Sequence, residues 1–440
     1  MVLVGQDLRP SSPMLADQIN RIARLCGFRP TDIGPVPTPA LAYAAGRAGA
    51  CAIMVTGSHI PADRNGLKFY DFEGEISKRA EAAITARAHT MDGLELIRAA
   101  GANKRSLRGE SSAGTRKQVL DDWHNRYASL FSKGAFSLLR IGVLVGSSVA
   151  AEPLLRLLCH LGAETFTFGR SVEFAPLDTE AVEASIVSEA MRQIGRKRLH
   201  CVVSTDPDGD RPLVLDAKGT VMRGDLLGWS AARWLGADHV ITTVNANSAI
   251  TDDGRLMVER TRIGSPYVIE ALSRSRRLLP AGFEPNGGFL LGGRARLGGG
   301  QLEPLVTRDS FLPILAALKL AADGERLSDL ADSLNFHAAL SDRIPDIDRM
   351  RAGQLLSSLV DNETARRRFF DRHGRIVQFD MTDGIRVGLA TSSPGNSAVK
   401  IVHLRLSGNA PELRIYVEAR TTGAASELLA AVRAQLEPWL

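Results

Sequence analysis

Cysteine is scarce and scattered. The chain has four in 440 residues, Cys26, Cys51, Cys159 and Cys201, with no CxxC spacing. That excludes a disulfide-dense scaffold, and because these residues mostly lie in apolar stretches it predicts buried free thiols in a reducing cytoplasm. Aromatic residues make up only 5%, too few for a platform on which single-stranded bases would stack. No uninterrupted apolar run approaches the ~18–20 residues of a membrane-spanning helix. Asp7, Arg9 and Pro10 interrupt the start, MVLVGQDLRPSSP, before a signal-peptide core could form, which argues against a secretory address. One-sided charge is missing as well: the net charge is +5, with Lys and Arg dispersed among acids. A small anionic substrate explains that excess at least as well as nucleic acid does. The expectation is a cytoplasmic protein with no nucleic-acid and no membrane partner.

What is present is ordinary globular composition, 44% hydrophobic and 23% charged, which excludes disorder over most of the chain. A length of 440 residues exceeds what one compact core usually spans. The pattern divides it at 1–137, 138–237, 238–343 and 344–440. In the first segment, residues 17–26 (DQINRIARLC) carry helical spacing, with Ile19, Ile22, Ala23 and Leu25 or Cys26 on one face. Residues 50–55 (ACAIMV) suit a strand buried on both faces. A helix is expected over 75–87 and a mobile Gly/Ser-rich stretch over 101–115. The second segment opens with a strand near Arg140, then a helix through Leu154, Leu155, Leu158 and Cys159, and a buried strand at 200–205. The third begins with VITTVNAN after Asp238. Residues 341–346 (SDRIPD) read as a linker, and the last segment alternates like strands in RIVQFDMTDGIRVGLA and LRIYVEA before a closing helix.

Apolar strands repeatedly deliver polar, glycine-containing loops, and in open α/β sheets ligands sit at such carboxyl ends. The first loop runs Thr56-Gly57-Ser58-His59-Ile60-Pro61 and on to Asn65-Gly66-Leu67-Lys68. Its proline-limited geometry can hold Ser58 in a fixed orientation, Gly57 lets the backbone approach a phosphate, and Lys68 offers a charge or, if desolvated, a base. By itself it also reads as a surface turn with a helix-capping serine. The second loop, Asp206-Pro207-Asp208-Gly209-Asp210-Arg211, sets three carboxylates at alternate positions. They repel one another unless a cation is present, and oxygen-only ligands favour a hard divalent ion such as Mg²⁺. It is no EF-hand, because Arg211 stands at the sixth position and Ala217 at the twelfth. In the third, Gly282-Phe283-Glu284-Pro285-Asn286-Gly287-Gly288, Glu284 and Asn286 offer a carboxylate and an amide to hydroxyls; a plain N-G hairpin fits equally. The fourth places Arg405, Ser407, Gly408, Asn409 and Arg414 together, an anion nest or an exposed β-turn.

In this order the four loops resemble the α-D-phosphohexomutase family, the phosphomannomutases and phosphoglucomutases. The serine loop is similar to T-[AG]-S-H-x-P…N-G-x-K, the acidic loop to D-x-D-G-D-R, the third to G-E-x-[SN]-G, and the last to R-x-S-G-T-E-P…R. Arg9 fits an N-terminal G-x-D-x-R element, and the F-E-x-N-G-G variant looks most like a subset of bacterial phosphomannomutases. Ile60, Arg64 and Asn409-Ala410 depart from the family pattern. The resemblance implies three mixed-sheet α/β domains plus a C-terminal α+β domain around a central cleft, one motif per domain. It implies phosphorylation of Ser58, and Mg²⁺ on Asp206, Asp208, Asp210 and the Ser58 group. Catalytic roles fall to Ser58, His59, Lys68 and Arg9, the last two assisting proton transfer and holding the phosphate in flight. Substrate binding falls to Arg211, Gly264, Glu284, Asn286, Arg405, Ser407, Gly408, Asn409 and Arg414.

The reaction so implied interconverts a hexose 6-phosphate and a hexose 1-phosphate, with mannose first among the sugars and glucose or glucosamine as alternatives. Phosphoserine 58 donates to the free hydroxyl, a 1,6-bisphosphate turns round, and the other phosphate returns to the serine. Such a bisphosphate also serves as activator, a small sugar phosphate is the partner, and a monomer or homodimer is expected. Two other classes stay open. A haloacid-dehalogenase-type phosphatase would use Asp206 as nucleophile and Asp208 as acid, and a non-catalytic sugar-phosphate binder would keep only the clamp. A serine hydrolase fits poorly, since no G-x-S-x-G elbow occurs.

Overall fold

The computed structural model describes residues 1–88, 113–171, 173–252, 254, 256–390, 400–408 and 410–439. The chain forms two compact units, Met1–Ile241 with Ser265–Leu330, and Thr242–Gly264 with Ala331–Leu440.

The first unit opens with β1 (Val2–Gln6), β2 (Pro30–Pro35), β3 (Cys51–Val55) and β4 (Leu67–Tyr70), in the order β2-β1-β3-β4. β1 is parallel to β2 and β3, whereas β4 returns antiparallel to β3. Val2, Val4 and Val55 pack against Ala16, Leu15 and Ile19 of the helix Ser12–Leu25. That helix starts five residues before the expected position because Pro13, in its first turn, is compatible with helix there. β5 (Arg140–Gly146), β6 (Glu164–Arg170), β7 (Cys201–Thr205) and β8 (Pro212–Asp216) repeat the same plan as β6-β5-β7-β8, with β8 antiparallel to β7. A third sheet carries β9 (His239–Thr243), whose last two residues pass into the second unit, then β11 (Pro280–Phe283), β12 (Phe289–Leu291) and β15 (Leu305–Asp309). Here too β12 runs antiparallel to β11. β13 (Ala295–Leu297) and β14 (Gly300–Leu302) form a small ribbon, and β10 (Met257–Thr261) belongs to the second unit.

Three of the four loops singled out from sequence therefore occupy one equivalent place. Each is the hairpin joining a buried central strand to its antiparallel neighbour: β3 to β4, β7 to β8, β11 to β12. The duplication is structural, and these are mixed-sheet α/β layers.

The second unit holds β16 (Ala338–Ile344), β17 (Arg375–Asp380), β18 (Ile385–Ala390), β19 (Lys400–Leu406) and β20 (Leu413–Ala419) in the antiparallel order β16-β20-β19-β18-β17. Phe370, Val387, Leu404, Ile415, Leu428 and Val432 share its core with the helices Glu363–Phe370 and Thr422–Leu436.

Several expectations are corrected. The supposed linker at 341–346 is largely strand: Ser341 to Ile344 end β16, with Asp342 opposite Ile415 and Arg343 opposite Arg414. This edge strand shows solvent Ser341 and Arg343 while Leu340 and Ile344 touch the core, so it reads as linker. The helix expected over 75–87 is Lys78–Ala88, because Glu75 bridges Tyr70 instead. Residues 101–112 of the stretch expected to be mobile lie outside the described residues, and its last three, from Ala113, open the helix Ala113–Ala128. Of the four thiols only Cys201 is buried. Cys26 caps a helix past its last apolar position, Cys51 begins a strand, and Cys159 sits on an outer helix face. Burial, helped by Asp216, pushes the Cys201 thiol up to about 12.

Candidate active site

β3 delivers Thr56 and Ser58 into a tight turn. Thr56 Oγ1 donates to Asp7 Oδ2 at 2.8 Å and accepts the Ser58 N–H at 2.8 Å. Ser58 is held in the left-handed region at φ 50°, a conformation that costs an L-residue roughly 1–2 kcal/mol. Its Oγ donates to Asp206 Oδ2 at 2.7 Å. Arg9, only 1% exposed, is the frame of this loop. Its Nε donates to Asp7 Oδ2 (3.1 Å), Nη1 to the carbonyls of Pro61 (2.8 Å) and Arg64 (3.1 Å), and Nη2 to those of Ser58 (2.6 Å) and Ile60 (2.8 Å). A Cβ on Gly57 would stand 2.7 Å from Arg9 Cζ, so glycine is needed where the guanidinium passes. In this state Arg9's donors are spent on the loop's own carbonyls and Asp7.

Asp206, Asp208 and Asp210 are all buried, and one carboxylate oxygen from each lies within 4.8 Å of the others. The turn is closed by Asp206 Oδ1, which accepts the N–H groups of Asp210 (3.0 Å) and Arg211 (3.1 Å). Lys68 Nζ, from β4, sits 2.6 Å from both Asp208 Oδ2 and Asp210 Oδ2. Thr38 Oγ1 donates to Asp208 Oδ2. Oδ1 of Asp208 and Oδ1 of Asp210 are buried with no hydrogen-bond partner among the described residues. Orphaned carboxylate oxygens facing a hard-oxygen cluster fit a divalent cation, and the triad can hold a metal. Electrostatics agree: burial and the two neighbouring aspartates push the Asp206 carboxyl well above its usual range. At Asp210 burial pushes the same way, but Arg308, Lys68 and Arg211 outweigh it and hold the carboxyl well below. Burial alone would lower Lys68, yet Asp208 and Asp210 hold it well above the ordinary lysine value, so it stands here as a cation rather than a free base.

Arg211 Nη1 lies 3.1 Å from His59 Nδ1. Guanidinium can only donate, so Nδ1 accepts and the ring proton sits on Nε2. Burial, then Arg211, lowers the His59 pKa and keeps the ring neutral near pH 7. In the third hairpin Asn286 Oδ1 accepts the Gly288 N–H at 2.9 Å. Glu284 is buried with Oε1 lacking a hydrogen-bond partner among the described residues; burial pushes its carboxyl up, opposed by Arg308 and Arg211.

In the second unit, Arg405 and Arg414 face each other across β19 and β20. Arg405 Nη1 meets Asp383 Oδ2 at 2.8 Å, and the same oxygen accepts the N–H of Ile263, next to Gly264, at 3.1 Å. Arg414 grips Glu412 Oε1 through Nε (2.9 Å) and Nη2 (2.7 Å), and the Ser407 N–H donates to the Glu412 carbonyl at 2.9 Å. Gly408 follows in this hairpin, whereas Asn409 lies outside the described residues.

The fold thus gathers Arg9, Ser58, His59, Lys68, the three aspartates, Arg211, Glu284 and Asn286 in one unit, and Gly264, Arg405, Ser407, Gly408 and Arg414 in the other. Sequence reasoning missed Asp7, Thr38, Arg308 and Asp383. Asp7 and Arg308 carry the signal already used at Asp206, a charged residue at the end of an apolar strand. Asp383 looks like any hairpin turn, and Thr38 offers no signal.

Three family models match in chain order. They are the phosphoglucomutase/phosphomannomutase alpha/beta/alpha domain I over residues 1–94, alpha/beta/alpha domain III over 224–336, and the C-terminal domain over 357–435. A phosphomannomutase of Sinorhizobium fredii is 40% identical over 434 residues, 98% of this chain and 88% of that protein. A phosphomannomutase of Salmonella muenchen is 38% identical over 425 residues, 95% of this chain and 84% of the other. The crystal structure of a phosphoglucomutase/phosphomannomutase family protein from Burkholderia thailandensis shares the fold, with a TM-score of 0.68 at 18% identity, covering 99% of this chain and 89% of that one. With strand-end loops of this chemistry in this order, and such identity along nearly its whole length, the chain belongs to the phosphoglucomutase/phosphomannomutase family.

Proposed function

We propose that the protein is a phosphohexomutase that interconverts hexose 6-phosphate and hexose 1-phosphate, with mannose as the sugar, through a phosphoserine and a hexose 1,6-bisphosphate. The observation that carries this reading is the Ser58 hydroxyl, buried, held at φ 50° and aimed at Asp206 Oδ2 from 2.7 Å beside two orphaned carboxylate oxygens.

Uncatalysed phosphate-monoester cleavage is among the slowest reactions, and its loose transition state leaves the protein mainly charge and alignment to supply. Asp206, Asp208 and Asp210 are the residues to hold Mg²⁺, which when bound supplies positive charge beside the phosphoryl oxygens. Lys68 and Arg211 flank the same place as cations, and neutral His59 presents its Nε2–H as a donor. Arg9 fixes the loop that keeps Ser58 in its strained turn. Glu284 and Asn286 suit a sugar that must be read in two orientations, since a carboxylate accepts from either of two similar hydroxyls. Gly264, Arg405, Ser407, Gly408, Asn409 and Arg414 would clamp the phosphate that is not reacting. Four domains split at 1–137, 138–237, 238–343 and 344–440 would then carry one loop each. No described helix is long and apolar enough to cross a membrane. A cytoplasmic monomer or homodimer acting on a free sugar phosphate completes the reading.

The deciding experiment offers mannose, glucose and glucosamine 1-phosphates side by side, with a trace of bisphosphate activator. Mannose 1-phosphate is expected to give the largest kcat/KM; absence of turnover with all three would reject the mutase reading, and preference for another sugar would reject mannose. Glu284→Gln is expected to raise KM for the hexose phosphate ~10- to 150-fold, the weight of one hydrogen bond to a charged acceptor. Inhibition by inorganic phosphate should change little. Equal loss in both would take Glu284 out of sugar recognition.

A further inference from the structure

Arg308 enters the site from the end of β15, and neither the serine loop nor the acidic loop carries it. Its aliphatic stem crosses the backbone of the third hairpin, where a Cβ on Gly288 would stand 2.7 Å from its Cγ and Cδ. Beyond that crossing the guanidinium of this side chain, 14% exposed as a whole, spreads between two acids. Nη2 and Nε lie 2.8 and 3.1 Å from Asp210 Oδ2, and Nη1 lies 3.7 Å from Glu284 Oε1. Glu75 adds a further negative charge nearby. Lys68 already occupies Asp210 Oδ2, so two cations share one oxygen while Oδ1 keeps no hydrogen-bond partner among the described residues.

A planar fork can face two carboxylates in different directions, which a point-charge ammonium cannot do. We propose that Arg308 is a positioning residue that ties the cation-holding hairpin to the sugar-reading hairpin, moderating cation affinity at Asp210 while orienting Glu284 toward the sugar. This rests on the roles given above to Asp210 and Glu284. Two effects of opposite sign follow. Arg308 is a positive charge against a metal-holding carboxylate, so its removal strengthens binding of a divalent cation. It also restrains Glu284, so the same removal weakens sugar recognition.

The test uses full-length, dephosphorylated protein. Arg308→Met keeps the stem over Gly288 and deletes the charge; Arg308→Lys keeps a charge within reach of Asp210 and deletes the fork. Titration calorimetry with MgCl₂ alone is expected to show roughly tenfold tighter binding for Arg308→Met and a value within ~3-fold of the parent for Arg308→Lys, outer-shell partners typically shifting metal affinity by 10- to 100-fold. KM for hexose 1-phosphate is expected to rise at least ~10-fold in both variants, with the inhibition constant of inorganic phosphate unchanged. A damaged fold would weaken both ligands together, and that parallel loss overturns the proposal. So does an unchanged Mg²⁺ affinity in Arg308→Met, or an unchanged KM. Weakened inorganic phosphate would make Arg308 a direct phosphate ligand instead. If the parent itself takes up no Mg²⁺, the cation reading of the acidic hairpin fails, a result separable from failure of the tie alone.

Discussion

Ser58→Ala is expected to abolish multiple-turnover mutase activity, by on the order of 10⁴-fold or more, as removal of a covalent nucleophile does. The size follows from the absence of a substitute nearby. Thr56 Oγ1, the neighbouring hydroxyl, is already engaged with Asp7 and with the Ser58 N–H, and His59 Nδ1 is covered by Arg211. Alanine tolerates φ 50° no worse than serine, so the turn should persist. What is lost structurally is one hydrogen bond to Asp206 Oδ2, about 1–3 kcal/mol for a buried acceptor, a few degrees of melting temperature at most. The check is a coupled assay with added bisphosphate, paired with intact-mass measurement of the phosphate adduct. The adduct should be present and acid-stable in the parent and missing from the variant. An acid-labile adduct that survives in Ser58→Ala would instead mark an acyl phosphate on aspartate, and with it the phosphatase alternative.

The sequence made the central strand and its hairpin legible because burial leaves a strong signature there. Residues such as Val202 and Val203 are wholly covered, and the chain turns polar at once when it leaves the sheet. Three such hairpins could be found one by one, but their equivalence within repeated sheets could not, because strand order is a tertiary property. Edge elements were harder. β16 satisfies its backbone on one side only, so it has no need of continuous apolar residues and looks like a connector. Partners supplied from afar were hardest of all. Arg308 is 98 residues from Asp210, and Thr38 is 170 from Asp208. Arg9 was visible as a motif residue, yet its contacts with four loop carbonyls depend on the turn it encloses.

Asp208→Asn is expected to weaken Mg²⁺ binding by at least ~100-fold and the rate by ~10³-fold, while the metal-free protein melts higher than the parent. The two effects have one origin. Three carboxylates converge within 4.8 Å in a buried site, and although Lys68, Arg308 and Arg211 flank them, Asp208 Oδ1 and Asp210 Oδ1 have no hydrogen-bond partner among the described residues. Asparagine has the same shape. Its carbonyl can accept from Thr38 and Lys68 as Asp208 Oδ2 does, and its amide would then put a donor in place of the orphaned Oδ1, in a cluster whose carboxylates converge within 4.8 Å. Repulsion becomes hydrogen bonding, which stabilises the empty site and removes the oxygen a cation would take. Stability stored against function in this way is a common cost of an active site. Thermal unfolding with and without MgCl₂ reads both parts. The parent should gain melting temperature with the cation, by linkage to the folded state, whereas the variant should start higher and gain little. A variant whose Mg²⁺-induced shift equals the parent's would show that Asp208 holds no metal, and a lower melting point without Mg²⁺ would show that the acidic hairpin is not under electrostatic strain.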